Sequence, residues 1–137
     1  IAQLVNKTNQ FNLTTKRYSE SEIIGFMENH SVFGFELFDK FGDFGLVAVV
    51  IIVNNDIDSF LVSCRALGRR LEYKVLYLIT KYMENNLKAS YTKTEKNSQV
   101  SNFYDKFSTS IDHDNDTVHY RLNRDSVINV DYIKERK

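Results

Sequence analysis

Apolar and polar positions alternate in several distinct ways along this chain, and each predicts a different element. Residues 1–11 place Ile1, Leu4 and Val5 at weakly helical spacing. The polar run Asn9-Gln10-Phe11-Asn12-Leu13-Thr14-Thr15 then interrupts them. Ser19 and Glu22 form a capping box, and Ile23, Ile24, Phe26 and Met27 give the apolar stripe of a short helix ending near Asn29.

Strands are expected next. Residues 32–41 are aromatic and partly alternating, Phe41-Gly42-Asp43-Phe44-Gly45 reads as a turn, and residues 46–53 are a β-branched run too apolar to face water. Asn54-Asn55-Asp56 reads as a second turn and residues 57–64 as a third strand, which together make an antiparallel meander. A helix is expected over residues 70–86, where Leu71, Val75, Leu78, Ile79 and Tyr82 recur at three- and four-residue spacing. Residues 87–91 read as a strand and residues 96–107 as a short helix. Residues 112–116 read as an acidic turn, and residues 117–122 as a last strand with alternating Val118, Tyr120 and Leu122. The order implies an α+β sandwich of sheet and helices.

Composition narrows the function classes. The 137 residues suit one domain, and 42% apolar with 26% charged residues is ordinary globular usage. Eighteen basic residues balance eighteen acidic ones, so no overall basic field favours nucleic acid. The longest apolar run, residues 45–53, is about half of what a helix needs to span a membrane. A cytoplasmic, soluble domain with neither a nucleic-acid nor a membrane partner is expected. One cysteine, Cys64, excludes an internal disulfide framework and a thiolate zinc cluster. His30, His113 and His119 have no mutual metal spacing, so no metal is expected here. The first residue is Ile1, within what reads as helix, which suggests a piece of a longer chain.

Candidate chemistry concentrates in Ser63-Cys64-Arg65-Ala66-Leu67-Gly68-Arg69-Arg70-Leu71-Glu72. A buried strand ends, Gly68 permits a tight turn, and a helix begins, so free N–H groups and the positive end of the helix dipole converge. Arg65, Arg69 and Arg70 around that point favour an anion, although solvated arginines on a plain loop are the simpler alternative. Cys64 beside Arg65 has the surroundings that lower a thiol pKa, yet single cysteines are commonly inert packing. Glu72 suits a general base or a partner of the helix dipole. Tyr104 lies on an apolar face with Phe103 and Phe107, where a core tyrosine is the default. Asn97 suits a cap. Asn9, Gln10, Asn12 and Thr14 could read substrate hydroxyls, meet a partner, or satisfy loop backbone. Asp43 sets a turn.

Two resemblances add to this. Arg65-x-x-Gly68-x-Arg70 after a strand resembles the pyrophosphate-binding loop of GNAT-like acyltransferases, Gln/Arg-x-x-Gly-x-Gly/Ala, with Arg70 standing where that pattern has a small residue. Asn97 and Phe103-Tyr104-Asp105-Lys106-Phe107 are similar to the later GNAT stretch whose Asn and Tyr flank the acyl-thioester. A closer resemblance covers nearly the whole chain. Ile1-Ala2-Gln3-Leu4, the run from Lys7 to Tyr18, Phe41-Gly42-Asp43-Phe44-Gly45-Leu46-Val47, Ser63-Cys64-Arg65-Ala66-Leu67-Gly68-Arg69 and Thr94-Glu95-Lys96-Asn97 resemble, in order, the C-terminal part of FkbH-like proteins.

Those proteins join an upstream HAD-type phosphatase domain, with its aspartates and magnesium, to a GNAT-like domain. They take a three-carbon unit from a phosphoglyceryl donor and deliver it as a glyceryl thioester to an acyl carrier protein, for polyketide precursors of the methoxymalonyl type. The resemblance therefore implies a GNAT-like fold: a mixed, mostly antiparallel sheet with helices on both faces. It implies Cys64 as the acylated residue and Tyr104 as the acid that protonates a departing thiolate; Glu72 as a base rests on its place in the first helical turn alone. Arg65, Gly68, Arg69, Arg70 and Asn97 would hold phosphate or the phosphopantetheine of a carrier protein or coenzyme A. Asn9, Gln10, Asn12 and Thr14 would meet substrate or partner. The competing expectation is a docking module that binds the carrier protein or its arm while the upstream domain does all the chemistry. A free-standing acetyl-coenzyme A acetyltransferase fits less well, because of Arg70 and the FkbH-like motifs.

Overall fold

Ser19 opens the first helix through a reciprocal cap. Its Oγ accepts the Glu22 N–H at 3.2 Å, and the Glu22 carboxylate accepts the Ser19 N–H at 3.1 Å. In the computed structural model, which describes residues 11–14, 18–39, 42–63, 70–83, 87–94, 97, 100–127, 129–130 and 133, this helix is α1 (Glu20–Asn29). It buries Ile23 and lays Phe26 edge-on against Tyr18 at 5.0 Å. Ile24 and Met27, expected in the same apolar stripe, are instead 54% and 50% exposed. So short a helix turns a narrower stripe inward than its apolar content suggests. The helix expected over residues 1–11 lies almost wholly outside the described residues. Its last position, Phe11, belongs with Asn12 to a short strand, β1 (Phe11–Asn12).

The meander forms as expected, with shifted bounds. β2 (Ser31–Asp39), β3 (Gly42–Val53) and β4 (Asp56–Val62) pair antiparallel in succession. Of the turn expected over residues 41–45, residues 42–45 belong instead to β3, where Gly42 and Asp43 pair with Asp39 and Phe38. Asn54 and Asn55 have φ of 51° and 64°, left-handed values that asparagine tolerates and a two-residue hairpin turn requires.

β3 is buried without a break from Val47 to Ile52, and from Ala48 to Ile52 its side chains alternate between two clusters, with Val47 in the same cluster as Ala48. Ala48, Val50 and Ile52 join the cluster that includes Leu71, Val75, Leu76 and Ile79 of α2 (Leu71–Tyr82). Val49 and Ile51 join a second cluster with Ile23 and Leu61.

β5 (Lys88–Thr92) follows α2, then β6 (Ser108–Asp114) and β7 (Thr117–Leu122). The sheet runs β2-β3-β4-β5-β7-β6, with β1 on β4. Among the described residues every pairing is antiparallel except β4 with β5, whose connection carries α2, as a parallel crossover requires. The fold is α+β with a mixed sheet.

Two expectations fail. Among the described residues from Asn97 to Phe107 there is no α-helix, and Asp105–Phe107 is a single 3-10 turn. The backbone bonds show what replaces it: Val100 to Asn97, Phe103 to Val100, Asp105 to Asn102 and Phe107 to Tyr104 each close a three-residue turn rather than the four-residue turn of an α-helix. The Asn97 side chain binds back to the Thr94 N–H and the Thr92 carbonyl, which fastens the start of this stretch to the end of β5. The acidic turn expected over residues 112–116 shrinks to Asn115 and Asp116, because residues 112–114 belong to β6. From Thr109 to Asp114 this edge strand is wholly exposed, so it lacks an apolar alternation to announce it. No helix among the described residues is long and apolar enough to cross a membrane.

Candidate functional site

β4 ends where the proposed chemistry begins. The Ser63 N–H donates to the Val47 carbonyl at 2.7 Å, which holds the strand end inside the sheet. Cys64, Arg65, Gly68 and Arg69 lie outside the described residues, as do Asn9 and Gln10. The chain is described again at Arg70, which occupies the N-cap position of α2 with φ 60° and ψ 22°.

That left-handed conformation is easy for glycine and costs a residue with a Cβ roughly 1–2 kcal/mol. Arg70 has no side-chain cap bond. Its carbonyl accepts the Tyr73 and Lys74 N–H groups at 3.2 and 3.3 Å, which leaves the Leu71 and Glu72 N–H groups without acceptors inside the helix. Its guanidinium lies over the Tyr73 ring, 5.1 Å from the centroid. The junction is therefore electropositive both from the helix end and from Arg70.

Glu72 stands in the first turn and is half-buried. Its Oε2 is enclosed and has no hydrogen-bond partner among the described residues. An enclosed carboxylate oxygen without a donor suits a base, and its place in the helix also suits a dipole partner.

Aromatic contacts connect this junction to Tyr104. Tyr73 meets Phe103 at 5.5 Å and Phe107 at 6.0 Å, and Phe103 meets Tyr104 at 5.3 Å and Phe60 of β4 at 5.5 Å. Tyr104 packs on Phe60 and Tyr120 and is fully buried. Its hydroxyl has no hydrogen-bond partner among the described residues, and burial, with the Asp56 charge second, holds its pKa well above the ordinary tyrosine value. The group is thus a protonated donor enclosed in the core, able to serve only a leaving group admitted there. Tyr104→Phe is expected to unfold at the same urea midpoint or a higher one, since an orphaned hydroxyl costs about 1–3 kcal/mol. A midpoint clearly below that of the parent would show a hydrogen bond at this hydroxyl.

Asn97 is fully buried and employed within the chain. Its Oδ1 accepts the Thr94 N–H at 2.7 Å and the Tyr91 hydroxyl at 3.2 Å, and its Nδ2 donates to the Thr92 carbonyl at 2.8 Å. Thr14 is likewise buried, its Oγ1 donating to the Asp58 carbonyl at 2.9 Å. Asn12 pairs with Leu61 through β1. The structure thus ties Asn12 and Thr14 to β4, places Arg70 and Glu72 at the start of α2, and sets Tyr104 behind Phe60.

Sequence reasoning missed Lys74. It is buried, its Nζ donates to Asn129 Oδ1 at 2.6 Å, and it lies over the Tyr77 ring at 5.5 Å. A cation at position 74 of the Leu71-Leu78 stripe was the available signal. Among the described residues no three His, Cys, Asp or Glu side chains stand together as metal ligands. Compared with protein-family models, curated proteins and solved structures, the chain matches none.

Proposed function

We propose that this chain is a GNAT-like domain of the FkbH-like kind that passes a glyceryl unit, as a thioester, to an acyl carrier protein. The observation that carries the proposal is the parallel β4-α2-β5 unit. Its strand ends at buried Ser63 and its helix restarts at Arg70, so Cys64 and its arginines fall between a strand end and a helix N-terminus. Arg70 supports the same reading. It carries the left-handed backbone at the position where the acyltransferase loop has a small residue. Two separate apolar clusters, one with residues of α2 and one with Ile23 of α1, support a helix on each face of the sheet.

In this reading Cys64 Sγ acts as a thiolate, stabilised by Arg65 and the helix end. It bonds to the carbonyl carbon of the phosphoglyceryl donor as the donor's leaving group departs with the electron pair. The pantetheine thiolate of the carrier protein then attacks the same carbon. The new C–S bond forms, the bond to Cys64 breaks, and Sγ leaves as the thiolate it was. Arg65, Arg69 and Arg70, with the turn at Gly68, hold phosphate through this exchange, and Glu72 takes the incoming thiol's proton. Asn97 supports the loop after β5. The magnesium and aspartates of the phosphatase step belong to an upstream domain.

A second reading rests on the enclosure of Tyr104 and Asn97, which removes two expected contributors from the surface. The domain then docks the carrier protein and presents its arm. One experiment separates the two. Full-length protein is reacted with labelled donor, digested with trypsin and mapped. Label on the peptide of residues 41–65, absent in Cys64→Ala, is the expected result. A covalent adduct that persists in Cys64→Ala overturns the transfer role, and carrier loading without label on that peptide favours docking.

A further inference from the structure

β6 is an outer edge of the sheet, paired to β7 on one side only. The two-residue turn at Asn115 and Asp116 sets which of its backbone groups are left over. Asp114 and Thr117 close that turn as a hydrogen-bonded pair, and Asp112 with His119 is the next such pair. The N–H and C=O groups of Ile111 and His113 therefore point away from β7. The Leu122 N–H, which donates to the Leu87 carbonyl, follows the same alternation, since even-numbered residues of β7 face β5. From Thr109 to Asp114 the edge is exposed, and Ile111 keeps 42% of its surface in water although it stands opposite buried Tyr120 on the core face.

Such an edge is a template for another strand, and this one matches a second copy of itself. Set antiparallel about a two-fold axis at Ile111, all seven residues of Ser108–Asp114 pair. Ile111 meets Ile111 of the second copy, where both backbone bonds are exchanged, and His113 meets Thr109. Each Asp112 falls opposite Ser110 and each Asp114 opposite Ser108, so no two charges stand directly across. Other registers fit worse. Moving the axis to Asp112 sets that carboxylate against its own copy, moving it to His113 sets Asp112 against Asp114, and moving it to Ser110 leaves His113 and Asp114 unpaired. Arg121 completes the match. It lies opposite Ser110 within the chain, so Arg121, Ser110 and Asp112 of the second copy follow one another across the joined sheet on one face. Two strand spacings are about 10 Å, which a guanidinium and a carboxylate span together over a small serine. On the other face the two Ile111 side chains meet beside Tyr120 and prolong the core.

We propose that two copies of this chain join through their β6 edges, antiparallel about Ile111, into one continuous sheet fastened by two ion pairs between Arg121 and Asp112. The proposal stands apart from the role of Cys64. Sedimentation equilibrium of the full chain should show monomer and dimer in exchange, with a Kd between about 1 µM and 1 mM. Ile111→Pro removes an N–H that the fold itself leaves unused. It should weaken association at least about tenfold while thermal unfolding stays cooperative. Exchange of charge tests the ion pairs. Asp112→Arg sets arginine against arginine, and Arg121→Asp sets carboxylate against carboxylate, so each variant should be monomeric alone. Mixed in equal amounts the two should form a heterodimer, because every crossing then has one charge of each sign. Adding Ile111→Pro to either should abolish it. A chain that stays monomeric to about 1 mM overturns the proposal. So does a folded Ile111→Pro that associates like the parent, or charge variants that associate alone or fail to pair when mixed.

Discussion

Phe60→Ala is expected to lower the unfolding free energy by about 3–5 kcal/mol, because a fully buried aromatic leaves a cavity that its neighbours fill only in part. Phe60 is where the two ends of the core meet. It stacks edge-on with Phe103 at 5.5 Å and with Tyr104 at 6.4 Å, while its own carbonyl holds Leu13. Loss of the ring therefore removes both area and the support under residues 103 and 104. Urea denaturation should show a lower midpoint with an unchanged slope, and thermal unfolding a fall of roughly 10–20 °C for a chain of this size. Phe60→Leu should cost much less, since it keeps most of the volume. A midpoint in Phe60→Ala within about 1 kcal/mol of the parent would mean that the 103–107 turn does not rest on β4.

Asn97→Ala should cost about 2–4 kcal/mol, although it removes very little apolar surface. Alanine leaves the Thr94 N–H and the Thr92 carbonyl without the partners that Asn97 supplies, and it shortens the bonding of the Tyr91 hydroxyl to the Asn97 carbonyl alone. Partly buried groups stripped of a partner lose more than the bond was worth wherever water does not replace it. Thermal unfolding measures the effect. A loss below about 0.5 kcal/mol would show that solvent reaches this loop and would return Asn97 to the list of surface binding residues.

Local features were legible in the sequence, and the reason is that they close within a few residues. The Ser19–Glu22 cap, the Asn54-Asn55 turn and the spacing of Leu71, Val75, Leu78 and Ile79 each state their own geometry. β6 was not legible, since its exposed side chains carry no pattern and its order comes from the backbone of β7. The 97–107 stretch misled for a related reason. Phe103 and Phe107 are spaced like a helix stripe, but backbone turns that end in the 3-10 turn Asp105–Phe107 bring the same rings to the same core. In the candidate site, the helix start and its arginine could be read from composition and order. The left-handed backbone of Arg70, the enclosure of the Tyr104 hydroxyl and the burial of Lys74 depend on neighbours distant in the chain.

Leu13 donates its N–H to the Phe60 carbonyl and accepts the Thr92 N–H, and this bridge between β4 and β5 has a bearing on synthesis. A ribosome releases residue 13 long before residue 92, so an early stretch of chain must wait, apolar side chain exposed, until nearly all the strands it serves have emerged. Contacts of such long sequence separation form slowly, and a nascent chain halted before β5 would present an unfinished edge to its neighbours. The timing of translation thus becomes part of how this domain reaches its native state.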